Sequence, residues 1–473
     1  MLPSPLTIVA AVVAVFFVTL TIVRGPVDAD YWWHLTTGRL ILESGSVPTI
    51  DPFSFAYDGP SVAHEWLGEV VIAGMVELIG FGVTAALFGL AAAAAVLVPA
   101  YAVHRRGVGT AALVPFIAVA TYGLASYATV RPQVLSWLLL GLLLAMLIGL
   151  RPGHRGSPWI VVPLMLAWAN VHGLYVVGLG VLAMYTVFTV ADRTPMAPRP
   201  WIVIGMLVAA TVASVITPAG PAGLLYPLRY LRQDDWGTAF IAEWQAIDVA
   251  DPRQWGVIAL IIAAALLIRQ LRLDWITTIG AAGILGALVA VRNGPIAMVT
   301  GIPMLALAFE RWLTQRRSAR EPSARTQRRR RIAEAATAAV VIVAILVILP
   351  GAAADSEDQA FPTEAFARLE EVDPDARLLV DYDWAGYAIH RVYDDGGRVF
   401  IDGRSDMYPR AIFEAYLQLR DAEDGWQELL GEYGVQAILL RPSAPLVDAA
   451  QADGWCEAQA DASSVLLLPC DVE

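Results

Sequence analysis

A series of about eleven apolar stretches constrains this chain more than any other feature; they lie near 6–23, 83–103, 110–127, 133–150, 158–170, 174–191, 201–217, 255–270, 275–291, 294–309 and 333–350. About 20 apolar residues cross a bilayer core, and backbone in lipid must satisfy its own hydrogen bonds, so the stretches predict an all-α polytopic membrane bundle. Composition agrees, since 57% of the residues are hydrophobic and only 16% are charged. A soluble domain has about 25% charged residues. Only Val171, His172 and Gly173 separate two of the stretches, which predicts a tight turn. The first stretch follows no basic segment and precedes no small-x-small pattern, so it reads as an anchor and not as a cleaved signal.

Charge divides the chain. Every basic residue is arginine, and the net charge is −12, yet residues 351–473 hold 26 acids against 8 arginines. So acidic an end excludes nucleic acid as its partner, because phosphate binding needs a clustered basic face. Seventeen of the 32 arginines fall in alternate short connections: Arg105 and Arg106, Arg151 and Arg155, Arg193 and Arg199, Arg269 and Arg272, and nine within 310–331. The positive-inside rule makes those connections cytoplasmic. The N-terminus is then expected inside the cell membrane and the C-terminal part outside. The 310–331 run reads as a solvated loop touching anionic headgroups.

This gives two expected domains, a transmembrane module over 1–350 and an extracytoplasmic α/β domain over 351–473. Within the module, the outer connections 24–82 and 218–254 are too long for simple turns, and loops of that length are usually functional. Residues 65–81 read as an amphipathic helix at the membrane surface. In the tail, 365–369 and 412–430 read as helices, and 377–380, 398–401, 437–440 and 464–468 as strands. Cys456 and Cys470 are the only cysteines. They pair if the domain is exported, or stay free thiols if it is not.

The densest chemistry opens the first outer connection, Asp28-Ala-Asp30-Tyr-Trp-Trp-His34, followed by Asp51-Pro-Phe-Ser54 and His64-Glu65-Trp66. Two carboxylates two residues apart can share a divalent cation, magnesium or manganese, or supply a general base. Asp28, Asp30, His34 and Glu65 are the candidate metal ligands, with Asp30 and Asp28 the candidate catalytic acids. Trp32, Trp33 and Trp66 offer faces on which a sugar ring can stack; interfacial anchoring is the plainer explanation. On the same expected side lie Arg131, His172, Glu243 and Arg292. Ionisable residues at membrane depth are costly and usually functional, and two guanidinium forks can clamp a phosphate or pyrophosphate. Each arginine taken alone is more readily explained as a snorkelling or capping residue. Asp402-Gly-Arg404 follows a strand and reads either as a charged structural turn or as an acceptor-recognising element. No Ser-His-Asp order, phosphate loop or Cys/His zinc spacing occurs.

A first span, an outer loop with an acidic pair, a many-span bundle and an outer C-terminal domain together resemble the C-type glycosyltransferases. More narrowly, Asp30-Tyr-Trp-Trp-His-Leu, Asp51-Pro-Phe-Ser, His64-Glu-Trp-Leu, Asn170-Val-His-Gly, Asp383-Trp-Ala-Gly-Tyr and Asp402-Gly-Arg look like a widespread bacterial branch of that superfamily. The resemblance spans nearly the whole chain. It implies a donor sugar on a polyprenyl phosphate, an envelope glycan, lipid or protein acceptor, and an outer-loop Asp as base or metal ligand. Asp28 or Asp30 fills that place, although the acids here are separated by one residue where several relatives have them adjacent. A transporter or a protein handling lipid-linked glycans is the alternative. A transporter usually shows inverted repeats, and none is visible between the two halves.

Overall fold

The computed structural model describes residues 4–150, 157–194, 198–226, 241–317, 360–404 and 407–470. All ten expected spans that fall on described residues are apolar helices, and among the described residues four helices are long and apolar enough to cross a membrane. This is a membrane protein. The expected span at 333–350 and most of the 310–331 arginine run lie outside the described residues. The chain's contacts divide it into two units, residues 1–23 with 81–353, and residues 24–80 with 354–473. The connection 24–80 therefore groups by its contacts with the C-terminal part, whereas the sequence reading placed 24–82 in the transmembrane module.

The first unit is the bundle. It contains α1 (Pro5–Arg24), the second half of α3 (Trp66–His104), α4 (Thr110–Ala125), α5 (Pro132–Gly149), α6 (Val161–Val171), α7 (Tyr175–Val190) and α8 (Pro200–Ala213). A short α9 (Gly220–Leu225) precedes α10 (Trp255–Leu266), α11 (Trp275–Val289) and α12 (Gly294–Arg317). Lipid offers no hydrophobic drive between helices, so close packing and buried hydroxyls hold them together. The Thr21 hydroxyl donates to the Ala85 carbonyl, tying α1 to α3. The Trp168 indole donates to Ser136, tying α6 to α5.

The second unit begins with α2 (Ala29–Ser44), a helix whose pattern was not legible in the sequence. Residues Tyr31 to Gly38 are all buried, so no polar face marks the helical period. Its ends are conventional. The Asp28 carboxylate caps it by accepting the Asp30 N–H at 3.1 Å, and Gly45 closes it at φ 66°. The helix expected over 65–81 forms as the first part of α3, which breaks at Gly80, φ 76°, where the unit ends.

Among the described residues five strands form the unit's sheet, in the order β2 (Arg398–Val399), β1 (Arg377–Val380), β3 (Ala437–Leu440), β5 (Val465–Pro469) and β4 (Trp455–Ala460). The first three run parallel, and β5 and β4 join antiparallel. β1, β3 and β5 are covered on both faces and read as unbroken apolar runs. Edge strand β4 is polar and was missed for that reason. Around the sheet pack α13 (Thr363–Val372), α14 (Ala385–Val392), α15 (Arg410–Arg420), α16 (Trp426–Tyr433) and α17 (Pro445–Ala452). The single helix expected over 412–430 is two helices, because the chain turns through left-handed backbone at Ala422 and Gly425. Asp51-Pro-Phe-Ser54 also joins the sheet edge. Val399 donates to the Phe53 carbonyl and Phe55 donates back to Val399, both at 3.0 Å.

Candidate active site

Asp30 sits in the first turn of α2, half-buried. Its Oδ1 accepts the Trp33 indole N–H at 3.1 Å. The Asp402 turn presses on the same oxygen, since a Cβ at Gly403 would lie 2.6 Å from it. Its neighbour Asp28 is occupied as the helix cap. Trp32 and Trp33 are buried. Trp32 donates to the Pro26 carbonyl and packs on Tyr387 and His390 of α14, so it belongs to the core and is no open sugar platform.

The two motifs Asp51-Pro-Phe-Ser54 and Asp402-Gly-Arg404, far apart in sequence, form one buried charge cluster. Arg404 makes a two-pronged contact with Asp402, Nε to Oδ1 at 2.8 Å and Nη2 to Oδ2 at 2.5 Å, and reaches Asp51 at 2.8 Å. Tyr408 donates to Asp402 at 2.7 Å. The Asp51 carboxylate also accepts the amides of Phe53 and Ser54, and the Ser54 hydroxyl donates to the Phe400 carbonyl at 2.6 Å. Burial alone would push Asp402 up; Arg404 and Tyr408 hold it below the ordinary carboxylate range. Burial lifts Asp51 above its ordinary value against the pull of the same guanidinium. Asp402 is 0% exposed, so of its two sequence readings the geometry supports the structural turn.

His34 lies one turn after Asp30 on α2, with its ring 3.6 Å from that of Trp33. Its Nε2 is 3.5 Å from Glu65 and its Nδ1 is 3.4 Å from Glu69, and His64 approaches Glu65 at 3.4 Å. Gly38, one turn further, makes this possible. A Cβ there would lie 2.2 Å from the Glu69 carbonyl, so only glycine lets α2 and α3 come this close. Donor atoms of His34, Glu65 and Glu69 lie within 4.8 Å of one another and could hold a metal ion. Asp28 and Asp30, expected as ligands with His34 and Glu65, are not part of that group. Its third member is Glu69, which the sequence analysis did not single out.

In the bundle unit the other candidates form their own group. Arg131, the N-cap of α5, lies 3.6 Å from Glu243, and the Arg292 guanidinium stacks over Trp244 at 4.1 Å. Adjacent residues Glu243 and Trp244 thus gather the two arginines. His172 ends α6 and accepts the Leu174 N–H at 3.1 Å, so one ring nitrogen serves the turn. Asn170 bonds the carbonyls of Leu166 and Ile216.

A many-helix bundle together with a small α/β unit is a fold already seen in solved enzymes. Solved structures show the likeness. The apo oligosaccharyltransferase of Archaeoglobus fulgidus has 12% identity and a TM-score of 0.61, with 92% of this chain and 69% of that one covered. The same enzyme tethered to an acceptor peptide containing the NVT sequon gives 12% identity and a TM-score of 0.59, covering 92% and 68%. ArnT of Cupriavidus metallidurans bound to undecaprenyl phosphate gives 14% and 0.50, covering 98% and 97%. At such identities the likeness is one of fold. No family model matches the chain, and no curated protein does.

Proposed function

We propose that this chain is a membrane glycosyltransferase moving a sugar from a polyprenyl-phosphate donor to an acceptor on the outer face of the cell membrane. The observation that carries this reading is the Asp30 carboxylate, steadied through one oxygen by the Trp33 indole and seated against Gly403 at a helix start. The neighbouring acids have other work: Asp28 caps α2, and Asp51 and Asp402 neutralise Arg404. The shared fold supports the same reading, and the undecaprenyl phosphate bound to ArnT supports the proposed donor class.

Asp30 takes the proton from the acceptor hydroxyl or amide as that atom bonds to the sugar's anomeric carbon. The bond from that carbon to the phosphate oxygen breaks, and polyprenyl phosphate leaves with the electron pair. Charge growing on the leaving phosphate calls for preorganised cations. The test is donor consumption in detergent or liposomes. Asp30→Asn keeps size and the indole bond but removes basicity, and should lower turnover by about 10²–10⁴-fold with an unchanged melting profile. Full activity in that variant would remove Asp30 from the mechanism and turn attention to Glu65 or Glu243.

A further inference from the structure

We infer that His34, Glu65 and Glu69 form a binding site for one divalent transition-metal cation of the zinc or manganese kind, separate from the Asp28–Asp30 pair. Three observations meet here. The first is the donor set, one imidazole and two carboxylates with an atom from each within 4.8 Å of the others. Such an ion bonds one ring nitrogen and the carboxylate oxygens at about 2.0–2.2 Å, so side-chain shifts of up to about 0.7 Å bring all three into reach. The second is an orphan. Glu69 is 3% exposed, and among the described residues its Oε2 has no hydrogen-bond partner. A buried carboxylate oxygen left without a donor is costly, and a cation is the partner it lacks.

The third observation is charge. Two carboxylates, their side chains 12% and 4% exposed, meet His34, and the second imidazole, His64, reaches only Glu65; a dication balances both carboxylates with both rings neutral, where otherwise both rings would have to be charged. Nitrogen ligation also selects the class. Magnesium prefers oxygen and keeps its waters, while imidazole with carboxylates suits zinc and manganese. The Gly38 contact that brings α2 against α3 places the ligands, so the ion would staple the helix bearing Asp30 to the start of α3.

The test uses the full chain purified in detergent, stripped with chelator, and titrated with Zn²⁺, Mn²⁺ or Mg²⁺. Bound metal is read by elemental analysis and the melting temperature is followed. About one Zn²⁺ or Mn²⁺ per chain, with a raised melting temperature in wild type, is expected. Glu69→Gln and the more accessible Glu65→Gln should each weaken binding by at least about tenfold, and Asp30→Asn should bind as wild type does. The wild-type melting shift does not depend on either variant folding. No stoichiometric metal and no shift in wild type would overturn the site, as would Mg²⁺ binding as tightly as Zn²⁺. Loss of the ion in Asp30→Asn would overturn its separateness. None of these readings uses sugar transfer, so the site can fail while the proposed activity stands, and the reverse.

Discussion

At Asp402 a single carboxylate is asked to be buried, ionised and structural at once. It manages this because Arg404 and Tyr408 supply three charge-assisted or hydroxyl bonds within its own turn. Removing the cation leaves Asp51 and Asp402 facing each other inside the unit. Arg404→Leu should therefore destabilise the second unit by about 3–5 kcal/mol, the usual cost of breaking a buried pair from one side. Melting of the full chain in detergent checks it, and a midpoint equal to wild type would end the clamp reading. His390 gives a pH signature. Burial, with Arg39 and Arg391 nearby, holds it down to about 4 from an ordinary 6.5. In the unfolded chain it takes up a proton near 6.5, while in the fold, against Trp32 and Thr36, it does not. Stability therefore falls as pH drops from about 6.5 towards 4, by up to about 3 kcal/mol, and is unaffected by this group above that window. Chemical denaturation at pH 7 and pH 4.5 measures the slope, and His390→Gln should flatten it.

Among the elements, α2 and the β4–β5 hairpin show how tertiary partners hold what local preference does not. α2 is buried on nearly every side, so its stability comes from Glu69, α14 and the Asp402 turn and owes little to its own amphipathicity. The hairpin carries a polar edge strand whose far end is tied by the Cys456–Cys470 disulfide, Cα to Cα 4.9 Å. The bridge closes a loop of 14 residues. In the chain-entropy account that constrains the unfolded state by about 3 kcal/mol, so reduction should lower the domain's stability by no more than that. Mass spectrometry of non-reduced peptides is the direct check. Both cysteines alkylated without reduction would contradict the bridge.

For the whole molecule, the arginine distribution leads us to propose that the C-terminal end lies outside the cell. A reporter that works only when exported, fused after Glu473, should be active, and one that works only in the cytoplasm should be silent. Strong cytoplasmic signal would reverse the orientation and remove the outer-face reading of Asp30.

The apolar runs alone determined the membrane class and ten helix positions, because a bilayer favours long stretches of uncharged chain, and that apolarity is a property each run carries by itself. The strands β1, β3 and β5 were legible for a similar reason, since burial on both faces leaves a short continuous apolar string. The acids of residues 24–82 were visible as chemistry but not as roles. Whether Asp28 caps a helix, Asp51 neutralises an arginine or Glu69 faces His34 depends on residues up to some 350 positions away. Only the tertiary structure could decide that Asp51-Pro-Phe-Ser meets Asp402-Gly-Arg, or that Gly38 lets two helices touch. Hydrophobic length is a property each segment carries alone, whereas a carboxylate's charge, exposure and partner are set by what the fold brings beside it.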